Sequence, residues 1–138
     1  MASIVFLAGR TLLAFVLLYG GMLAITQDME YNYKNVARLF SSARPGLDVF
    51  VKGDFTYYFV IAEGTLLVLG ATLLGLGQNV GCYLLMLAGT GFMATSHNPA
   101  LVSSEEEKMA RLSYIMKDLT VFGACFLQIS FSRQQEEY

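Results

Sequence analysis

Four polar side chains stand within or beside otherwise apolar sequence, and they are where chemistry could occur: Glu63, His97, Lys117 and Asp118. Glu63 interrupts the run FTYYFVIAEGTLLVLGATLLGLG, Phe55 to Gly77. A carboxylate placed in such a segment is costly and calls for a partner or a function. Counting from the polar connection that precedes it, Glu63 lies about eight residues in, ~12 Å deep at helical rise. Lys117 lies about five residues into a later apolar segment from the same side, so the depths match within about a turn. The expectation is an intramembrane ion pair, Glu63 with Lys117, that locks two helices and relieves the cost of burying either charge alone. The functional alternative is a proton or quinone site at Glu63. His97 and Asp118 are secondary polar candidates, with Arg10 of the first apolar segment a third. A lone histidine supplies at most one axial ligand to a haem, so His97 reads as an interfacial or hydrogen-bonded residue.

Several chemistries have no residues to carry them. Cys82 and Cys125 form no CxxC and no zinc spacing, and read as small buried hydrophobes. There is no GxGxxG after a strand, no P-loop, no HExxH and no nucleophile elbow. No catalytic residue and no metal ligand set is therefore assigned. A net charge of −2 gives no basic footprint for nucleic acid.

The segments that must position these side chains are membrane-like. Hydrophobic residues make up 55% of the 138-residue chain and charged residues only 14%. A soluble domain carries ~25% charged residues. The expected fold class is all-α, an integral membrane four-helix bundle in one domain, with spans at about 3–25, 55–77, 80–96 and 112–131. The opening MASIVFLAGR lacks a basic n-region and a presequence composition, so the first run reads as a span. Between the first two spans, Tyr33, Val36, Ala37, Leu39 and Phe40 recur at helical spacing and predict a short interfacial helix, broken by Arg44-Pro45-Gly46. Phe55, Tyr57, Tyr58 and Phe59 form an aromatic group at headgroup level. Gly75-Leu76-Gly77-Gln78-Asn79 is turn sequence, which makes the second and third spans a helical hairpin. Pro99 stops the third span, and Ser103-Ser104 followed by Glu105-Glu106-Glu107 starts a helix. Gly20 with Ala24, Gly64 with Gly70, and Gly89 with Gly91 offer small faces for close helix packing.

Four spans place both termini on one side and the two long connections on the other. Lys34, Arg38, Arg44, Lys52, Lys108, Arg111 and Lys117 all fall on the connection side, against Arg10 and Arg133 on the terminal side. The positive-inside rule puts the connections in the cytoplasm or the mitochondrial matrix.

Gly9-Arg10 opening the first span, Gly20 near its end, and Glu63-Gly64 with Gly70 resemble the DoxX-like superfamily of four-span proteins. Gly81-Cys82-Tyr83-Leu84-Leu85 and Lys117-Asp118-Leu119-Thr120-Val121-Phe122-Gly123 are closer to its HR-like lesion-inducing branch, which has Asn-Leu where this chain has Asp118-Leu119. The resemblance implies a four-helix membrane bundle. DoxX proteins include small subunits of a quinol oxidase and of a thiosulfate:quinone oxidoreductase. The expected function is that of a non-catalytic accessory subunit of a larger membrane complex. A mitochondrial respiratory-chain complex in the inner membrane fits best, with other membrane subunits and lipids as partners. No cofactor is expected, although a bound phospholipid or quinone fits the composition. The alternatives are a quinone-linked redox subunit, and a cargo receptor or transporter of the secretory pathway, which would place the chain in the endoplasmic reticulum. The Glu136-Glu137-Tyr138 end carries no dilysine-type retrieval signal.

Overall fold

The computed structural model describes residues 2–43 and 54–137. The Arg44-Pro45-Gly46 break and the charges Arg44, Asp48 and Lys52 lie outside the described residues. Among the described residues every regular element is helical: α1 (Ala2–Ile25), α2 (Met29–Ala43), α3 (Asp54–Gly75), α4 (Asn79–Ala94), a 3₁₀ turn (Pro99–Leu101) and α5 (Glu105–Glu136). Three of these are long and apolar enough to cross a membrane, over Ile4–Ile25, Thr56–Gly75 and Glu105–Gln134. α4, with 16 residues, is shorter; at 1.5 Å per residue it reaches ~24 Å, short of the ~30 Å hydrocarbon core.

α3 is the central helix, packed between α1 and α4 and touched by α2, while α5 packs on α4 and the 3₁₀ turn. Two glycine crossings set these distances. A Cβ on Gly21 would stand 3.1 Å from the backbone nitrogen of Val68 and 3.3 Å from the Gly64 carbonyl. One on Gly81 would stand 2.5 Å from the Leu74 nitrogen and 2.6 Å from the Gly70 carbonyl. Backbones approach this closely only where side chains are absent, and among apolar helices in lipid such packing replaces the hydrophobic effect as the source of association. Ala14, Ala71, Leu74, Cys82, Leu85 and Cys125 form the buried cluster around these crossings. Both cysteines are free thiols within it.

Local signals explain the breaks. At the α3–α4 turn Gly77 has φ +82, the left-handed conformation that glycine adopts without a Cβ penalty. Its N–H donates to the Leu74 carbonyl at 2.9 Å, and that of Gln78 to Leu73 at 2.8 Å, the two bonds of a Schellman stop. Asn98 caps the 3₁₀ turn through its side-chain oxygen, which accepts from the Ala100 N–H at 2.9 Å, with Pro99 in the first turn. Ser104 occupies the N-cap position of α5 but its hydroxyl makes no cap bond. The three carboxylates of Glu105–Glu107 in the first turn instead oppose the positive end of the helix dipole. α5 thus begins seven residues before the expected boundary at Leu112, and its C-terminal end carries the polar tail in helical form.

The short helix expected between the first two apolar segments is present as α2. Its inner face buries Val36 together with Asn32 and Asn35, while Glu30 and Lys34 pair at 3.1 Å on the exposed face. Burying two asparagines rather than a purely apolar stripe is the first sign of a polar layer beneath this helix.

Candidate functional site

The polar layer lies where α2, the end of α4 and the start of α5 meet. Arg111, one turn and a half into α5, is only 4% exposed. Its Nη2 donates to Asn35 Oδ1 at 2.8 Å, and its Nη1 to the carbonyls of Asn98 at 3.0 Å and Thr95 at 3.4 Å. The guanidinium also sits 5.8 Å from the Tyr31 ring centroid. A buried cation is tolerable only when its donors are satisfied. Here two backbone carbonyls of the α4–3₁₀ connection, those of the C-cap residue Thr95 and of Asn98, supply much of that satisfaction. Asn32 holds the next position: its Nδ2 donates to the Ala24 carbonyl at 3.1 Å and its Oδ1 accepts from Ser96 at 2.6 Å. The last carbonyl of α4 also meets a protein donor: Asn98 Nδ2 donates to the Ala94 carbonyl at 3.0 Å.

Glu63 faces this layer from α3. It is 4% exposed, and its Oε1 accepts from Thr95 Oγ1 at 3.2 Å, while Oε2 is buried without a partner among the described residues. Thr95 thus joins two buried ionisable groups, Glu63 at its hydroxyl and Arg111 at its carbonyl. Gly91 stands beside the carboxylate: a Cβ there would be 2.8 Å from Oε1.

The expected Glu63–Lys117 ion pair is not formed. Lys117 is exposed, with its Nζ 5.1 Å from the Tyr114 ring centroid. Depth was matched, but successive residues on a helix are separated by about 100° of rotation, and Lys117 points away from the bundle. The inward position belongs to its neighbour Asp118. Asp118 Oδ2 meets His97 Nδ1 at 2.5 Å, both side chains being about one-fifth exposed. His97 is stacked on Tyr114 at 5.0 Å and on Phe92 at 5.7 Å. A carboxylate on one ring nitrogen fixes the imidazole's orientation and leaves Nε2 as its remaining polar atom.

This pair stands in a cleft of about 470 Å³. The cleft lies between α1 and α5, which do not pack along their length and meet at one end through Phe6 and Phe131, stacked at 4.5 Å. Its inner part is apolar: Leu17 and Gly20 from α1, Leu67 from α3, Leu85, Gly89 and Phe92 from α4, and Val121 and Phe122 from α5. Its outer part is polar: Asp28 just before α2, Tyr31 and Asn32 from the start of α2, Ser96 and His97 after α4, and Tyr114 and Asp118 from α5. Among the described residues no lysine or arginine lines it. The volume is that of a small-molecule site, and the arrangement suits a molecule with an apolar body and a hydrogen-bonding end.

The small residues singled out from the sequence serve the interior. Gly64 lies against Ile25 and the Gly21 carbonyl of α1, Gly70 against Leu85 and Gly81 of α4, and Gly89 under the Phe122 ring. Gly91 makes room for the Glu63 carboxylate rather than for a helix. Ala24 is buried, and Gly20 is exposed and open towards the cleft. Sequence reasoning missed Gly21, Gly81, Asn32, Asn35 and Arg111. Gly21 directly follows Gly20, and Arg111 was counted with the loop charges.

Among the described residues no group of three or more His, Cys, Asp or Glu side chains is arranged to hold a metal ion. Comparison with protein-family models, with curated proteins and with solved structures finds no match.

Proposed function

We propose that the protein is a four-span membrane bundle acting as an accessory subunit of a larger membrane assembly, to which it contributes a cleft that shelters a lipid-soluble quinone. The observation that carries this reading is the α1–α5 cleft, apolar inside and closed at its polar end by His97 and Asp118. A quinone supplies a ring with carbonyl oxygens on an apolar tail and exchanges electrons and protons when bound. His97, oriented by Asp118, would donate from Nε2 to a quinone carbonyl oxygen, or accept at Nε2 from the hydroxyl of the reduced quinol. Tyr31 and Tyr114 flank that position, and Leu17, Leu67, Leu85 and Val121 would hold the tail and exclude water. The resemblance to DoxX-like proteins agrees with a quinone, and a mitochondrial inner membrane is the setting that supplies one. α4 would complete the four spans, its short length offset by the polar layer at its C-terminal end.

The accessory role rests on a second observation. The apolar windows of α1 and α5 are each only 11% buried within the chain, against 33% for α3. Leu12, Phe15, Val16, Leu119 and Phe126 present their side chains outward, to lipid or to neighbouring subunits.

Gentle solubilisation from native membranes tests both parts. Solvent extraction of the purified chain should release quinone in near-equimolar amount, and Asp118→Asn should reduce it. Quinone-free protein that migrates alone would contradict the reading.

A further inference from the structure

The end of the bundle away from the His97–Asp118 pair carries a cation with no counter-charge among the described residues. Arg10 of α1 lies across the α3–α4 turn: a Cβ built on Gly77 would be 2.8 Å from its Nη1 and 3.5 Å from its Nη2. The side chain is therefore held against the protein at the level of Gln78 and Asn79, where the chain turns over at the membrane face. Its guanidinium makes no hydrogen bond or ion pair with any described residue, and its Nε is buried without a partner. Exposed Glu136 and Glu137, at the end of α5, are not paired with it. A guanidinium left this way has unspent donors for a planar, two-oxygen anion.

Beside it runs a groove of about 390 Å³ between α1 and α5, walled by Phe6, Leu13, Leu74 and Leu127. Arg10 and the buried Gln128 supply its polar atoms. Among the described residues no carboxylate lines it. A cation at headgroup level beside an apolar channel is the chemistry of a phospholipid with net negative charge, its phosphate on Arg10 and one acyl chain along the groove. We infer that this α1–α5 groove is a binding site for an anionic phospholipid, fixed by Arg10. The site is separate from the quinone cleft and stands whether or not a quinone binds there.

The test uses the purified full chain, delipidated in mild detergent, and native mass spectrometry. Phosphatidylglycerol, phosphatidylcholine and diacylglycerol with identical acyl chains are offered together, with and without excess inorganic phosphate. Phosphatidylglycerol should be retained about fivefold over phosphatidylcholine, whose choline cation offsets the phosphate charge that faces Arg10. Diacylglycerol should not compete, and inorganic phosphate should not displace the lipid. Arg10→Gln should abolish the preference, and Arg10→Lys should keep part of it. Ala124→Phe, which obstructs the groove and leaves Arg10 in place, should shorten retention; circular dichroism identifies any variant that has lost its helices. Equal retention of the charged and zwitterionic lipids, an undiminished preference in a folded Arg10→Gln, or displacement by inorganic phosphate would each overturn the assignment. So would capture of a carboxylate-bearing protein segment by Arg10 in place of lipid.

Discussion

Gly81→Ala is the sharpest perturbation of the packing described here. The added methyl would sit 2.5 Å from the Leu74 nitrogen and 2.6 Å from the Gly70 carbonyl, whereas ordinary contact begins at 3.4 Å. Both obstacles are backbone, so no rotamer change relieves them; the α3–α4 crossing must open by about 0.9 Å. Overpacking of this kind costs up to about 3 kcal/mol. Alanine's better helix propensity returns ~1 kcal/mol, which leaves a net loss of about 2 kcal/mol. Gly123→Ala is the matched control, because a Cβ there meets nothing within 4 Å. It should gain up to ~1 kcal/mol, so the two variants differ by about 3 kcal/mol. For a chain of this size that is a separation on the order of 10 °C in Tm. Thermal melting of both variants in the same detergent, followed by circular dichroism, measures it. If Gly81→Ala melts with or above Gly123→Ala, the glycine crossing is not what joins α3 to α4.

Arg111→Met should lower stability by about 3 kcal/mol in the same assay, because Asn35 Oδ1 and the carbonyls of Thr95 and Asn98 lose their donor. Glu63→Gln keeps an acceptor for Thr95 and should change stability by less than about 1 kcal/mol, whereas Lys117→Met should be neutral with or without it; a double-mutant cycle showing coupling between 63 and 117 would restore the ion pair. Both termini should be protected on the side opposite α2, and protease accessibility of terminal tags reports this; tags cleaved together with α2 would refute the four-span arrangement.

Helix existence was legible from the run lengths and from Gly77, Pro99 and the glutamates at 105–107, because turn and cap chemistry is local. Which face of each helix turned inward was not. In α1 and α3 nearly every residue is apolar, so no polar stripe marks the lipid side, and the hydrophobic period that orients a soluble helix is missing. Gly20 and Gly21 were therefore indistinguishable, and only Gly21 meets α3. The same loss of phase assigned the ion pair to Lys117 when Asp118, one residue on, faces inward to His97. Arg111 was hidden for another reason. Its partners are backbone carbonyls of the connection after α4 and an asparagine on α2, and acceptors of that kind leave no charge pattern in the sequence. The polar pairing His97–Asp118 spans 21 positions and depends on how α4 and α5 cross, which no local signal encodes.

The central claim is that the α1–α5 cleft holds a quinone with its ring at His97, and a photoreactive quinone analogue tests it most directly. After irradiation in proteoliposomes, the labelled residues are mapped by mass spectrometry. The account predicts labels confined to cleft residues, His97 and Tyr114 at the polar end and Leu17, Leu67, Leu85 and Val121 along the tail, competed away by unlabelled quinone and diminished in Asp118→Asn. Labels scattered over the outward side chains of Leu12, Phe15, Leu119 and Phe126, unaffected by competitor, would contradict it.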